Sequence, residues 1–171
     1  MERPRTFAIR TFGCQMNEHD SERLAGGLVA AGYVPGALSD ADVVVLNTCT
    51  IRDNADQKLF GVLGQLKADK DARPGMQIAV AGCLAQRERG RIVERAPWVD
   101  VVVGTHNLMA APGLLARAIA EGPLVEVLDG PDPTVARDAA PALYAVRESE
   151  FCAWVTIQSG CDNSCAFCIV P

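Results

Sequence analysis

Aromatic side chains are scarce in this chain: two Trp, two Tyr and five Phe make up 5% of its 171 residues. Lys and Arg number 16 against 21 Asp and Glu, a formal net charge of −5. That balance lacks the basic footprint of a free-standing nucleic-acid binder. Missing too is any stretch near the ~18 continuous apolar residues of a membrane span. The opening Met1-Glu-Arg-Pro-Arg5 leads into a short strand pattern rather than the apolar core of a signal peptide. A reducing, cytoplasmic setting with no membrane partner is the resulting expectation. Seven cysteines, an odd number, suit metal binding or thiol chemistry better than a disulfide framework.

Three of those thiols stand close together in Cys161-Asp-Asn-Ser-Cys165-Ala-Phe-Cys168. Even fully extended, four residues reach only about 13–14 Å, so a modest curl brings the three sulfurs to one point. Three thiolates on a short loop suit an iron–sulfur cube with one iron left open. A closed structural zinc site wants four protein ligands. Only His19 or His106 could complete the zinc alternative.

Three more cysteines lie far apart but share one context. Cys14 ends Phe7-Ala-Ile-Arg-Thr-Phe-Gly-Cys14, Cys49 ends Val43-Val-Val-Leu-Asn-Thr-Cys49, and Cys83 ends Ile78-Ala-Val-Ala-Gly-Cys83. Each is a short, partly β-branched apolar run stopped by Gly or Asn-Thr, then a thiol. Helical patterns separate them. One is capped by Asp20 or Ser21, with Leu24 and Leu28 inward and its end at Gly32. Another starts at Asp53 or Asn54, with Leu59, Leu63 and Leu66 on one face. Alternating strand and helix predict an α/β fold, an open parallel sheet with flanking helices of Rossmann or flavodoxin type. In such a sheet every strand's C-terminal end lies on one edge, where ligands bind. Cys14, Cys49 and Cys83 are therefore expected to line a single crevice. The seventh thiol, Cys152 in Phe151-Cys-Ala-Trp-Val-Thr-Ile157, falls inside a strand-like run and reads as packing.

The chain at this point resembles the radical S-adenosylmethionine methylthiotransferases. The resemblance rests on Thr11-Phe-Gly-Cys-Gln-Met-Asn17, Asp20-Ser-Glu22, Leu46-Asn-Thr-Cys-Thr-Ile-Arg52, Ala81-Gly-Cys-Leu-Ala-Gln86 and Ile157-Gln-Ser-Gly-Cys-Asp-Asn-Ser-Cys-Ala-Phe-Cys-Ile-Val-Pro171. The Gly-Cys-Gln-Met-Asn and Asn-Thr-Cys-Thr-Ile-Arg forms are similar to the MiaB type. The resemblance implies two [4Fe–4S] clusters: a radical cluster on Cys161, Cys165 and Cys168, and an auxiliary cluster on Cys14, Cys49 and Cys83. S-adenosylmethionine is implied at the open iron of the first, with Phe167 beside its adenine. The implied reaction adds a methylthio group to carbon 2 of N(6)-dimethylallyladenosine next to the anticodon of tRNA, using two S-adenosylmethionine molecules. A flavodoxin- or ferredoxin-type electron donor is implied as a partner. Alternative acceptors in sister branches are an aspartate of ribosomal protein S12 and threonylcarbamoyladenosine. A reading of another class is a non-catalytic iron–sulfur or zinc-binding redox module.

Residues 1–128 are expected to form the α/β domain, with later elements near Asp100–Val103, Leu108–Ala120 and Leu124–Leu128. Residues 129–150, with Pro131, Pro133 and Pro141, read as a linker. Residues 151–171 read as the first strand and cluster loop of a truncated partial (β/α) barrel, since a barrel needs many more strands. Such a piece is expected to be inactive alone, and a monomer is favoured. Gln15, Asn17, Asn47 and Thr48 either hydrogen-bond cluster sulfurs or close turns and cap helices. His106 reads as a loop residue before an Asn107 cap, His19 as solvated, and Trp98 and Trp154 as packing residues. Arg87, Arg89, Arg91 and Arg95 alternate with acids as a solvated helix face.

Overall fold

A computed structural model describes residues 3–50, 55–130, 145–147, 149–155, 163 and 165–166. Six strands form one sheet: β1 (Thr6–Phe12), β2 (Val34–Pro35), β3 (Val43–Thr48), β4 (Gln77–Gly82), β5 (Val101–Val103) and β6 (Leu124–Glu126). Their spatial order is β2-β1-β3-β4-β5-β6, every pair parallel. The helices are α1 (Gln15–Ala30), α2 (Ala55–Ala72), α3 (Cys83–Glu88), α4 (Arg91–Arg95) and α5 (Ala111–Glu121), the last preceded by a 3₁₀ segment at Thr105–Ala110. The expected open parallel α/β sheet is present.

Central strands covered on both faces can be apolar throughout, and β3 and β4 are buried at all twelve positions. One layer packs Leu59, Leu63 and Leu66 of α2 and Leu84 and Ile92 of α3–α4 on Val44, Leu46, Ile78 and Val80. The other packs Leu24 and Leu28 of α1 and Leu114 and Leu115 of α5 on Val43, Val45, Ala79 and Val101. α1 thus links β1 to β2 over one face, while α2 and α3–α4 carry β3 to β4 and β4 to β5 over the other. α5 links β5 to β6 over the α1 face, although the sheet continues in the same direction. This last crossover has the opposite hand to the other three, a rare arrangement in parallel sheets.

Two neighbouring strand pairs, β1/β3 and β4/β5, therefore send their chains to opposite faces. Such switch points open crevices at the C-terminal edge of a sheet.

α1 starts earlier than the sequence pattern indicated. Cys14 is its N-cap, not Asp20 or Ser21. The Asn17 side chain accepts the Cys14 backbone N–H at 3.3 Å, a reciprocal cap that fixes the first turn. The helix ends at Ala30, and Gly32, at φ +89°, closes it with the Tyr33 N–H donating to the Leu28 carbonyl at 3.0 Å. Leu59, Leu63 and Leu66 are buried as expected, while Asp53 and Asn54 lie outside the described residues.

Residues 151–155 pair with no strand, and the rest of the expected barrel strand lies outside the described residues. A strand forms only where a neighbour takes its backbone groups. Cys152 is exposed rather than packed.

Candidate functional site

Phe12, Thr48 and Gly82 stand level across β1, β3 and β4. Cys14 follows two residues after the first, and Cys49 and Cys83 follow directly after the second and third. Adjacent strands lie about 4.8 Å apart, so the three thiols leave the same edge within about two strand spacings. The Cys49 N–H donates to the Phe12 carbonyl at 2.9 Å, which extends the ladder to the thiol itself. Cys49 is buried, whereas Cys14 and Cys83 are half-buried. Burial pushes the Cys83 thiol up to about 11, and Cys49, Asp20 and Cys14 add to the rise by charge. Cys83 thus feels the other three groups across a partly dry crevice.

Polar residues behind the thiols fix their posture. Asn47 is fully buried; its amide donates to the Asn17 carbonyl at 2.8 Å and to Ser21 Oγ at 2.9 Å. In return, Asn17 Nδ2 donates to Asn47 Oδ1 at 3.1 Å. Asn17 Oδ1 accepts from the Cys14 backbone and faces the Cys14 thiol at 3.6 Å. The two asparagines therefore cap α1 and hold its first turn against β3, while Thr48 Oγ1 donates to the Ala81 carbonyl at 3.2 Å. Asn47→Leu would leave the buried Asn17 Nδ2 without its acceptor and remove the bonds to the Asn17 carbonyl and to Ser21 Oγ, which keeps Thr11 Oγ1 at 2.8 Å. One group is thus orphaned at about 1–3 kcal/mol and two bonds are lost at about 1 kcal/mol each, partly relieved by relaxation. A loss of about 2–4 kcal/mol in denaturant unfolding is expected, with m unchanged.

Asp20 is the site residue that sequence patterning missed. It lies on α1, its side chain 14% exposed and 3.7 Å from Arg23, and it acts by charge on Cys83. Burial raises its carboxyl from 3.8 to about 6, against the opposing pull of Arg23. The folded state thus binds a proton more tightly than the unfolded chain. Stability from this group is full below its unfolded value and is lost as pH rises through about 6. Asp20→Asn should therefore stabilise the metal-free protein by about 2–3 kcal/mol at pH 7.5 and change little at pH 4. Chemical denaturation at both pH values checks this.

His106 is exposed within the 3₁₀ segment. Asn107 does not cap a helix; its Nδ2 donates to the Glu126 carbonyl at 3.0 Å. His19 is half-buried rather than solvated, and burial, then Arg23, hold it below its ordinary 6.5. Trp98 packs as expected, its Nε1 donating to the Leu63 carbonyl at 2.8 Å. Arg95 is not merely solvated: its guanidinium stacks 3.5 Å from the Phe60 ring centroid. Cys165 is exposed, and Cys161, Cys168 and Phe167 lie outside the described residues.

Among the described residues, no three His, Cys, Asp or Glu side chains are drawn together tightly enough for one metal ion. A cube whose cysteines bind different irons accepts thiols set farther apart than a single zinc does. Three thiols rising from one edge fit such a cube by the chemistry of the donor set.

A family model described as "Uncharacterized protein family UPF0004" matches residues 6–104, from β1 to the glycine after β5. The chain belongs to this family. Curated relatives of this UPF0004 chain carry the name tRNA-2-methylthio-N(6)-dimethylallyladenosine synthase. The one from Acidothermus cellulolyticus is 58% identical over 99% of this chain and 34% of its own length. The Saccharopolyspora erythraea relative is 58% identical, covering 98% and 33%, and that of Streptomyces coelicolor 57%, covering 98% and 33%. The chain spans about a third of the length of these relatives. The resemblance to methylthiotransferases read from the cysteine motifs is borne out by this kinship.

Proposed function

We propose that this chain is the sulfur-donor part of a tRNA methylthiotransferase that modifies carbon 2 of N(6)-dimethylallyladenosine. The observation that carries the reading is the level register of Phe12, Thr48 and Gly82, from which Cys14, Cys49 and Cys83 leave one sheet edge. These three thiols would hold one iron–sulfur cube, and Cys161, Cys165 and Cys168 a second that binds S-adenosylmethionine. Phe167 would lie beside the adenine of that cofactor. When bound, the clusters and S-adenosylmethionine supply the radical and sulfur chemistry that an unactivated ring carbon demands.

The protein's own contribution is positional. Asn17 and Asn47 set the direction of Cys14, and the wall of β3 and β4 keeps Cys49 dry. Val146 donates its N–H to the Glu22 carbonyl at 3.0 Å, and Trp154 and Val155 reach the Cys14 side of α1. From Val155, six residues of sequence lead to Cys161, a reach of at most about 20 Å. That tether would let the second cysteine group approach the first.

The divisions at residues 1–128, 129–150 and 151–171 belong to this proposal, as do a flavodoxin- or ferredoxin-type donor, a monomer and a cytoplasmic location. tRNA would be gripped mainly by the two thirds of the relatives' length that this chain does not span. Mass analysis of tRNA nucleosides from a deletion strain tests the reading. Loss of the methylthio-adenosine, restored by the full-length gene, supports it. Normal tRNA, with a ribosomal protein lacking its modification, would instead assign the protein acceptor.

A further inference from the structure

Residues 145–147 and 149–155 lie along α1 against its direction: Val146 bonds at Glu22, Ser149 and Cys152 lie near Glu18 and Glu22, and Trp154 and Val155 arrive at Cys14. Ser149 Oγ holds this strap in shape by accepting the N–H groups of Phe151 at 3.2 Å and Cys152 at 3.1 Å. Between strap and helix lies an open cavity of about 180 Å³, lined by Cys14, Gln15, Met16, His19, Trp154 and Val155.

Resting on the tRNA-modification reading, we propose that this cavity receives the branched five-carbon substituent of the substrate adenosine, with Trp154 and Met16 as its apolar walls.

Three observations point there. The lining offers an indole, a thioether and an isopropyl group and carries no Lys or Arg, its polar side chains being those of Cys14, Gln15 and His19. Met16 is 55% exposed and Val155 74% exposed at its rim, apolar surface that gains by being covered. The volume falls below the ~300 Å³ at which pockets begin to hold drug-sized ligands, so a substituent fits and a whole nucleoside does not.

Position agrees with chemistry. Carbon 2 and carbon 6, which carries the N6 substituent, flank N1 of one six-membered ring, so their outward bonds diverge by about 120° rather than pointing oppositely. A base with carbon 2 toward the three thiols would send its substituent sideways along the crevice, into the adjoining space between Cys14 and Trp154.

Binding of a labelled anticodon stem-loop RNA to the full-length reconstituted protein tests this. The RNA is prepared with either adenosine or N(6)-dimethylallyladenosine next to the anticodon. The wild type should bind the prenylated RNA about 10–100-fold more tightly, the range for an apolar group in a fitted pocket. Trp154→Ala and Met16→Ala should bring that ratio towards one, leaving affinity for the unmodified RNA and iron content unchanged, while Trp154→Phe keeps most of it. A wild type with no preference, or both alanine variants with the full preference, overturns the inference and leaves the function intact. A protein that binds neither RNA and forms no methylthio product overturns the function as well.

Discussion

Alanine at Cys14, Cys49 or Cys83, one at a time in the full-length reconstituted protein, should remove about half of the bound iron and lower methylthio-adenosine formation at least ~10³-fold. As ligands of one cube the three thiols would act as a unit, because a cube held by two cysteines is open to solvent on two irons. The protein itself should remain folded. Cys14 and Cys83 are half-buried at the sheet edge, and Cys49, though buried, replaces only a small side chain. Deleting a sulfur there costs about 1–2 kcal/mol at most, a minor part of a typical domain's stability. Circular dichroism near that of the wild type, beside an iron count cut by half, would separate ligand loss from unfolding. Cys152→Ala, on the exposed strap, should leave the iron count unchanged.

Gly82→Ala should be the most damaging single substitution in the sheet. Gly82 adopts φ +92° and ψ −165°, a region essentially reserved for glycine and worth about 1–3 kcal/mol of strain to any other residue. A methyl group there would also meet Asn47 Oδ1 and stand 2.6 Å from the Thr48 carbonyl oxygen and 3.0 Å from the Thr48 nitrogen. Two of these contacts are rigid backbone of β3, which cannot yield without disturbing the central ladder. A loss of about 3–5 kcal/mol is expected, a melting temperature lower by more than about 10 °C. The substitution also turns the chain that launches Cys83, so iron should be lost even where the fold survives at low temperature. Gly64→Ala provides the contrast. Its methyl group would meet nothing within 4 Å, and the substitution should stabilise α2 by about 0.5–1 kcal/mol.

Both outcomes rest on one local design that the sequence displays openly. Runs such as Val43–Leu46 and Ile78–Ala81 are continuously apolar because both faces of the sheet are covered, and each ends in Gly or Asn-Thr before its thiol. Period and punctuation therefore disclosed the strands, their parallel pairing and the shared edge of three cysteines. The start of α1 was concealed because its cap is a cysteine, an uncommon capping residue, stabilised by Asn17 from within the helix. Asp20 then looks like a cap in sequence but sits inside the helix, facing the site.

Asp20's role depends on which side of α1 meets Cys83, a tertiary relation that no local pattern encodes. Likewise, the reversed hand of the β5–α5–β6 crossover follows from which face α5 buries, not from its own amphipathic stripe. His19 was misjudged for the same reason: the strap beside it, which packs the Trp154 indole near α1, is held by contacts spanning more than a hundred residues.

That a carboxyl is retained beside Cys83 at a cost in stability bears on the proposal. Groups held against their preferred charge state cluster where chemistry is done, and Asp20 has no compensating hydrogen bond to the backbone among the described residues.

The most direct measurement is an iron and sulfide count, with Mössbauer spectra, on the full-length protein carrying Cys161→Ala, Cys165→Ala and Cys168→Ala together. With the terminal loop disarmed, Cys14, Cys49 and Cys83 should still retain about four irons and four sulfides in a cubane environment. A folded triple variant devoid of iron, or one loaded with a single tetrahedral zinc, would contradict the assignment.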